Sequence, residues 1–258
     1  SRIARELTGR VRHRYGGRVP EVRESLAALD CARIVQKAFS LRGPAMVFDA
    51  ACASGLQALA VAVRALRAGR IDQAIVGAVS HFKVDSLVLF SAAQSVSRAG
   101  SFPFCNDADG LVTAEGQVAL VLKPLSDAVR DGNRIRAVIE DIGTSSDGRG
   151  KSLWAPRADG QLLAMQRAYP DPSRISTLGY IEAHATGTQV GDATELEALS
   201  ALLRPHVAKD ERVLIGSLKA NIGHTLETAG LASLVKLVLA MEHGIIPPGV
   251  ADRPLNDA

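Results

Sequence analysis

The fold is decided by residues 43–56, which read GPAMVFDAACASGL. The apolar run Ala45–Ala51 predicts a short buried strand. From Ser54 to Ala68 the period changes, because apolar residues now recur at helical spacing. The recurring residues are Leu56, Leu59, Val63 and Leu66. The stretch therefore predicts a strand that turns sharply into a helix, with Cys52 at the turn.

The rest of the chain alternates between the same two kinds of segment. Further strands are predicted over Ile71–Ser80, Val118–Leu122, Ile135–Ile142, Tyr180–Ala183 and Val213–Ser217. Helices are predicted over Asp192–Leu203 and Thr225–His243, and Gly244 is expected to end the second of them. The alternation indicates the α/β class.

The composition is that of a globular protein, with 258 residues, 47% of them hydrophobic and 22% charged. The longest uncharged stretch, Ala50–Val63, is shorter than the roughly 20 apolar residues of a membrane span, and no basic-then-apolar leader opens the chain. Cys31, Cys52 and Cys105 are too few for a disulfide framework and lack the spacing of a zinc site. We therefore expect a cytoplasmic protein that neither binds a structural metal nor enters a membrane.

The net charge of +3 is unevenly distributed. An arginine-rich N-terminal arm, residues 1–30, contains Arg2, Arg5, Arg10, Arg12, Arg14, Arg18 and Arg23. Such an arm either contacts an acidic protein or a nucleic acid, or forms a solvated surface helix. Only Tyr15 is interleaved with these arginines, so the sequence does not support a base-stacking surface and no nucleic-acid partner is expected.

Cys52 is surrounded by small residues at the predicted strand-to-helix turn. Small neighbours allow a sharp turn that exposes the side chain. A cysteine in the first turn of a helix faces free N–H groups, which lower the pKa of its thiol and can hold an oxyanion. The alternative is that Cys52 is a small buried apolar residue, which is the common fate of a free cysteine.

His184 ends a predicted strand and opens a loop of threonine and glycine, whereas His224 follows Gly223 and precedes the predicted last helix. A histidine at a strand end beside such residues is well placed for a cleft. Each is also compatible with a structural role, and Lys219, five residues before His224, is compatible with a surface charge. Together with Cys52 the histidines form a candidate nucleophilic site. A metal site is disfavoured because neither histidine has a second ligand at helical spacing.

Three segments resemble the catalytic blocks of the β-ketoacyl synthases. Residues 43–56 are similar to the active-site cysteine block, GP…DTACSSSL. Glu182–Glu195 reads EAHATGTQVGDATE, which is similar to EAHGTGT…GD…E. Gly216–Gly230 reads GSLKANIGHTLETAG, which is similar to GS.K.NIGH…AAG. The three blocks follow one another in the order of that family.

The segments between the blocks also resemble this family over about residues 30–250. Asn106–Gly116 is similar to DADG…GEG, and residues 122–138 and 145–156 are similar to the polyketide-synthase type. The chain is thus identified as a ketosynthase domain of a type I polyketide or fatty-acid synthase. DAACAS and SSDGRG are most similar to iterative enediyne or polyunsaturated-fatty-acid synthases.

The chain departs from the family pattern in small residues and in extent. Ala185 replaces the first glycine of HGTGT, and Ala114 replaces the first glycine of GEG. After the cysteine, the serines of the family pattern have become Ala53-Ser54 and then Gly55. These are exchanges of small residues, so we expect activity to be retained. The family's opening strand and its GFGG.N segment have no counterpart, so we expect the fold to be incomplete at both ends.

The resemblance implies a thiolase-like α/β fold, layered α-β-α-β-α with two related halves, in which residues 1–258 form a single partial domain. It implies that Cys52 takes an acyl group from a carrier-protein thioester, and that a malonyl extender then loses CO2 to give an enolate. The enolate attacks the acyl-cysteine and yields a β-ketoacyl carrier protein. His184 and His224 would donate hydrogen bonds to the enolate oxygen, while Lys219 holds His224.

The resemblance also implies binding residues and partners. Thr186 and Thr188 would bind the pantetheine arm, and no cofactor or metal would be needed, because the substrates travel on the phosphopantetheine of an acyl carrier protein. Glu195 is a candidate partner of Lys219, although with Asp192 it also has the form of a capping box. Neighbouring synthase domains are expected, and so is a homodimer paired through the predicted strand Ile71–Ser80, whose edge would otherwise be exposed.

Two other functions remain open at this point. A thiolase also has a nucleophilic cysteine but acts on coenzyme A esters, and the separate His184 and His224 blocks favour the ketosynthase over it. A noncatalytic partner subunit that resembles a chain-length factor would only shape a channel. Such partners typically lack the cysteine, whereas Cys52 is present here.

Overall fold

The structure, a computed structural model, describes residues 28–81, 83–150, 155–249 and 254–255. The chain divides into two compact units, Ser1–Val47 and Phe48–Ala258. In the first unit the described residues form helix α1, Ala28–Ala38, and a following segment without regular structure. Residues 1–27 of the arginine-rich arm lie outside the described residues. The single partial domain over residues 1–258 therefore stays a prediction.

The second unit alternates helices and strands, which confirms the α/β class. Its helices are α2 (Ser54–Arg67), α3 (Val84–Ala92), α4 (Leu125–Arg130), α5 (Ala158–Ala168), α6 (Gln189–Leu203), α7 (Lys219–Ile222) and α8 (Ala229–His243). Its strands are β1 (Ala74–Ser80), β2 (Gly116–Leu122), β3 (Tyr180–Glu182) and β4 (Leu214–Gly216). Short 3₁₀ turns lie at Ala51–Ala53, Pro172–Thr177 and Leu226–Thr228. Among the described residues, no helix combines the length and apolarity needed to cross a membrane.

The strands pair into one antiparallel and one parallel sheet. β1 and β2 are antiparallel and pair from Ala74 with Leu122 to Ser80 with Gly116. β3 and β4 are parallel, and Glu182 lies opposite Gly216 at their carboxyl ends. Because the carboxyl ends of parallel strands meet at one edge of a sheet, the chain segments that carry His184 and Lys219 leave from the same place.

The core lies where α2 and α8 pack against β1. Its buried side chains are Leu59, Val63, Val76, Ala78 and Leu231. In β1 every second residue is buried, as expected for a strand with one face on the core. Cys52 lies just before α2, and His224 lies shortly before α8. The packing of the two helices on one strand therefore positions both catalytic candidates.

Two predicted strands do not form. Within the described residues neither Ala45–Ala51 nor Ile135–Ile142 has a paired neighbour, and Ala51 already belongs to a 3₁₀ turn. The second segment is held by side chains instead, because the Arg67 guanidinium donates to the Asp141 carboxylate at 2.8 Å. A strand is defined by its hydrogen-bonded neighbour, which the period of one segment cannot supply.

Two helix starts also differ from the prediction. Helix α6 begins at Gln189 rather than Asp192, and its N-cap Thr188 makes no side-chain capping bond. The capping box that would start at Asp192 was therefore wrong. The helix predicted over Thr225–His243 begins as a 3₁₀ turn and becomes α-helical at Ala229. Its end is as predicted, because Gly244 takes the left-handed conformation with a φ of 63°.

Candidate active site

Cys52 lies in the 3₁₀ turn that leads into α2. The Ser54 hydroxyl closes this turn, because it accepts the Ala50 N–H at 2.9 Å and donates to the Ala51 carbonyl at 2.7 Å. Ala51 has a φ of 49°, in the left-handed region that few L-residues other than asparagine and aspartate adopt. Small residues thus permit a tight turn, which leaves Cys52 half-buried.

The protonation of Cys52 differs from the prediction. Burial raises the pKa of the thiol, while the positive charge of Lys219 and a backbone N–H act in the opposite direction. The carboxylate of Glu227 adds to the increase. The predicted lowering of the pKa at a helix start was therefore wrong, because the loss of solvent outweighs the N–H groups and the lysine. At neutral pH Cys52 is a thiol, which must lose its proton when it attacks a substrate.

His224 is almost completely buried between two segments of backbone. Its main-chain N–H donates to the Val112 carbonyl at 2.6 Å, and its carbonyl accepts the Ala114 N–H at 2.9 Å. The side-chain Nδ1 accepts the Leu226 N–H at 2.9 Å. A neutral imidazole that accepts at Nδ1 carries its proton on Nε2. The 3₁₀ turn before α8 thus makes His224 a hydrogen-bond donor through Nε2.

Glu195 of α6 holds the loop that carries His184. Its two carboxylate oxygens accept the N–H groups of His184 and Ala185, each at 2.7 Å. Burial raises the pKa of Glu195, and these two bonds oppose that change. Glu195 is thus bonded to the backbone of the histidine loop, while its charge also acts on Lys219. Glu195 therefore has a further role besides the predicted partnership with Lys219, because it also holds the backbone of the His184 loop.

The two imidazoles meet edge to face. Their ring centroids are 5.4 Å apart and their planes are inclined at 87°. Burial and the charge of Lys219 lower the pKa of His224 to about 4. The pKa of His184 is lowered as well, by desolvation in the surrounding protein and by the charges of Lys219 and His224, although this residue is partly open to solvent. Both rings are therefore neutral at pH 7 and can donate without adding a full charge.

Lys219 is the first residue of α7 and is 3% exposed. Burial lowers the pKa of its ammonium group, and the negative charges of Glu195 and Glu182 act against this change. Its backbone N–H donates to the Ser217 hydroxyl at 3.3 Å, which in turn donates to the Ala185 carbonyl at 3.1 Å. Ser217 therefore ties the start of α7 to the loop of His184.

Thr186 and Thr188 lie together between β3 and α6. Their hydroxyl oxygens are 3.1 Å apart and hydrogen-bonded to each other. The neighbouring Asp192 is 1% exposed and accepts the N–H groups of Phe104 at 2.8 Å and Gly187 at 3.2 Å. Asp192 thus fastens the loop around Phe104 to the threonine loop.

Cys52, His184 and His224 offer ligand atoms that all lie within 4.8 Å of one another. A sulfur and two nitrogens at this separation are a donor set that zinc accepts. However, a metal ligand must present a lone pair, and the Leu226 N–H fixes the proton of neutral His224 on its remaining nitrogen. The arrangement therefore fits a nucleophile beside hydrogen-bond donors better than it fits a metal ligand set.

The sequence named Asp192 only as a helix cap and Glu195 as a cap or a partner of Lys219, and it did not name Glu182 or Lys236 in any role. In the structure the carboxylates of Asp192 and Glu195 hold loops at the site. Glu182 and Lys236 form a buried ion pair behind it. The position of Glu182 in the sequence could have identified it, because it lies on the predicted strand Tyr180–Ala183, two residues before His184.

Two family descriptions match the chain. "Beta-ketoacyl synthase, N-terminal domain" matches residues 7–128, and "Beta-ketoacyl synthase, C-terminal domain" matches residues 136–251. The first match includes Cys52, and the second includes both histidines and Lys219. The chain thus carries segments of both parts of that family in their usual order.

Curated relatives are far longer than this chain. A highly reducing polyketide synthase of Cordyceps militaris is 44% identical over 212 residues, which are 81% of this chain and 8% of that protein. The lovastatin diketide synthase of Aspergillus terreus is 39% identical over 256 residues, which are 94% of this chain and 10% of that protein. The chain therefore spans at most a tenth of these two synthases.

Solved structures show the same fold. The ketosynthase from module 6 of the bacillaene synthase of Bacillus subtilis is 35% identical with a TM-score of 0.85, and the match covers 90% of this chain and 42% of that one. The ishigamide ketosynthase/chain length factor is 26% identical with a TM-score of 0.83, and it covers 92% and 58% of the two chains. These likenesses confirm the predicted thiolase-like fold.

Proposed function

We propose that this chain, which belongs to the β-ketoacyl synthase family, catalyses a decarboxylative Claisen condensation. In this reaction an acyl group on Cys52 and a malonyl group on a carrier protein form a β-ketoacyl carrier protein and CO2. The observation that carries the proposal is the convergence of three side chains from distant parts of the sequence. The reactive atoms of Cys52, His184 and His224 lie within 4.8 Å of one another.

Acyl transfer uses the thiol of Cys52. The Cys52 sulfur attacks the carbonyl carbon of the incoming acyl thioester, the bond from that carbon to the carrier sulfur breaks, and the proton of the Cys52 thiol ends on the departing carrier sulfur. Lys219 assists, because its positive charge favours the thiolate. The N–H of Cys52, which acts on its own sulfur, is the donor we assign to the oxyanion that develops on the carbonyl, because the N–H groups of Ala51 and Ala53 already bond to Asp49 and to the Ala50 carbonyl. The product of this half-reaction is an acyl-cysteine.

Decarboxylation uses the two neutral imidazoles. When the malonyl thioester loses CO2, the electron pair of the broken bond moves into an enolate, whose oxygen carries the developing charge. The Nε2–H of His224 and a ring N–H of His184 are placed to donate to this oxygen. The enolate carbon then attacks the carbonyl carbon of the acyl-cysteine and releases the Cys52 sulfur. No redox cofactor or metal is needed in this balance.

The remaining predicted residues support these two steps. Glu195 keeps the His184 loop in place and, with its charge, helps to keep Lys219 protonated in its buried position. We assign Thr186 and Thr188 to the pantetheine arm, because the bond between them uses only one of their two O–H groups and the other can be donated to a pantetheine amide.

The partners of this reaction follow from its substrates. An acyl carrier protein delivers both thioesters, neighbouring synthase domains deliver and remove the chains, and the cytoplasm is the expected location. A homodimer is also part of the proposal. Support for it comes from β1, which pairs with β2 along one edge and exposes the apolar side chains Ile75 and Val79.

The proposal is tested by separating acyl transfer from CO2 release in the intact protein. Cys52→Ala should abolish acyl transfer but keep decarboxylation of malonyl carrier protein, because the donors to the enolate remain. His224→Ala should reverse this pattern, with CO2 release reduced on the order of 10²-fold, as for the loss of an oxyanion donor. Mass detection of the acyl-enzyme and release of labelled CO2 measure the two steps.

Two matched variants control for general effects. Cys31 and His206 are exposed and take no part in the described hydrogen bonds of the site, so Cys31→Ala and His206→Ala should leave both steps unchanged. If Cys52→Ala still loads acyl groups, the nucleophile lies elsewhere. If His184→Ala and His224→Ala both release CO2 at the parental rate, the chain acts as a noncatalytic partner like a chain-length factor.

A further inference from the structure

A buried ion pair lies behind the active site, on the side of β3 and α8. The Lys236 ammonium and the Glu182 carboxylate are 2.7 Å apart, and their side chains are 8% and 1% exposed. The Tyr180 hydroxyl donates to the same carboxylate oxygen at 2.8 Å and accepts from Lys236 at 2.9 Å. Neither the acyl-transfer step nor the decarboxylation step uses these three side chains directly.

The second oxygen of Glu182 points in another direction. It accepts the backbone N–H of Leu218 and the hydroxyl of Ser233, the latter at 3.3 Å. Leu218 is the N-cap of α7, the helix whose first residue is Lys219. One carboxylate therefore joins β3, the start of α7 and the body of α8. These are the elements from which His184 and Lys219 enter the site.

On this geometry, and given the function proposed above, we propose that Glu182, neutralised by Lys236, is a positioning residue for Lys219. Glu182 fixes the backbone at the start of α7, and its charge stabilises the protonated form of the buried lysine. Lys236 supplies a counter-charge that lessens the cost of burying this carboxylate.

The charges around Lys219 support this assignment. Lys219 is affected by Glu195 and Asp192 of α6, by Glu182 of β3 and by Cys52 of the 3₁₀ turn, and both neighbouring histidines are neutral. Among these groups the carboxylates of Glu195 and Glu182 have the largest effects that raise the pKa of Lys219 against the effect of burial.

Glu182 is itself surrounded by polar and charged side chains. The groups that face it are Lys236 and Ser233 of α8, Tyr180 of β3 and Lys219 of α7. Burial acts to lower the pKa of Lys236, but its bonds to Glu182 and Tyr180 outweigh burial and raise it. Lys236 is thus held as the cation that faces Glu182, and the carboxylate of this pair acts on Lys219.

The test measures the pH profile of Cys52 alkylation by iodoacetamide in the intact protein, followed by mass spectrometry of the Cys52 peptide. Glu182→Gln retains an oxygen that can accept the Leu218 N–H but removes the charge. Lys219 then releases its proton at lower pH, and its support for the Cys52 thiolate is lost. We expect the alkylation midpoint to move up by about one pH unit, which is a tenfold lower rate below the midpoint.

Three further variants separate positioning from a general structural role. Lys236→Met keeps the anion, so it should lower the melting temperature without moving the alkylation midpoint upward. The double variant Glu182→Gln with Lys236→Met should recover most of the melting temperature, because whole buried pairs can often be removed at little cost, yet it should keep the raised midpoint. Asp131→Asn removes a carboxylate from the distant ion pair with Lys123 and should change neither quantity.

The outcomes discriminate clearly. If the midpoint follows the melting temperature through all variants, Glu182 is merely structural and the proposal is overturned. It is also overturned if Glu182→Gln leaves the midpoint where it is. Alkylation of Cys52 does not require the condensation reaction. If the parental protein fails to release CO2, the proposed function is refuted, but the alkylation midpoints of the variants can still be compared. Exposed Cys31 gives an internal reference for the reagent in each reaction.

Discussion

Replacing Gly230 by alanine tests whether the contact between α2 and α8 positions the Cys52 turn. A Cβ at this position would lie 2.3 Å from Leu56 Cγ and 2.6 Å from Leu56 Cδ1. Carbon atoms of packed side chains normally lie about 3.5–4.0 Å apart. Leu56 Cγ is bonded directly to its own Cβ, so a movement of the side-chain tip cannot relieve the overlap. Either the χ1 angle of Leu56 or the distance between the helices must change.

The size of the effect follows from two opposing contributions. Alanine is favoured over glycine in a helix interior by at most about 1 kcal/mol. Overpacking of a tight contact costs roughly 1–3 kcal/mol. The free energy of unfolding should therefore fall by about 1–2 kcal/mol in the Gly230→Ala variant. Because Cys52 lies two residues before α2, a shift of this helix should also slow alkylation of Cys52.

Urea unfolding measures the first quantity, and mass spectrometry of iodoacetamide-treated protein measures the second. Gly179→Ala is the matched control, because a Cβ there meets nothing within 4 Å and should cause no loss of stability. Leu56→Ala in the Gly230→Ala background should restore much of the alkylation rate, since it removes the obstructing atoms. A Gly230→Ala protein with parental stability and parental alkylation would refute the reasoning.

Three more expected results concern the loop of His184 and the imidazole of His224. Glu195→Ala leaves the N–H groups of His184 and Ala185 without their acceptor, so urea unfolding should show a loss of about 1–3 kcal/mol. Ala185 has a φ of 20°, so Ala185→Gly should raise the free energy of unfolding by about 0.5–1 kcal/mol in the same assay. Burial lowers the pKa of His224 to about 4, below the roughly 6.5 of the unfolded chain, so the unfolded state binds the extra proton between these values. Stability should therefore be complete above pH 6.5 and fall by up to about 3 kcal/mol toward pH 4, and His224→Gln should flatten this dependence.

The sequence predicted the elements whose signal is local. The helix over Ser54–Ala68 and the end of the last helix at Gly244 both form nearly as expected, because helical spacing and a left-handed C-terminal residue are properties of one segment. Strand Ala74–Ser80 also falls within the predicted run. The runs 45–51 and 135–142 have comparable apolar character but no paired neighbour among the described residues, so they do not form strands.

The site was predicted as a set of residue types and not as a set of environments. Cys52, His184, His224 and Lys219 were named from their motifs, and the structure brings the cysteine and both histidines within contact range. The direction of the Cys52 pKa was wrong, because burial depends on helices far away in the sequence. The two hydrogen bonds from the backbone of the His184 loop to Glu195 could not be predicted either, because they depend on the path of the loop before α6.

The charge balance of the site explains why its histidines can act as donors. A protonated imidazole would bind an enolate more strongly, but it would also place a second cation beside the buried Lys219. Burial and this lysine lower the pKa of His224, so the ring stays neutral and its N–H bond is available without a counter-ion. Negative charge that develops on a substrate then meets one fixed cation and two neutral donors. Since Glu195 and Glu182 lie behind that cation, the carboxylates stabilise Lys219 without bonding to the imidazole rings in the described structure.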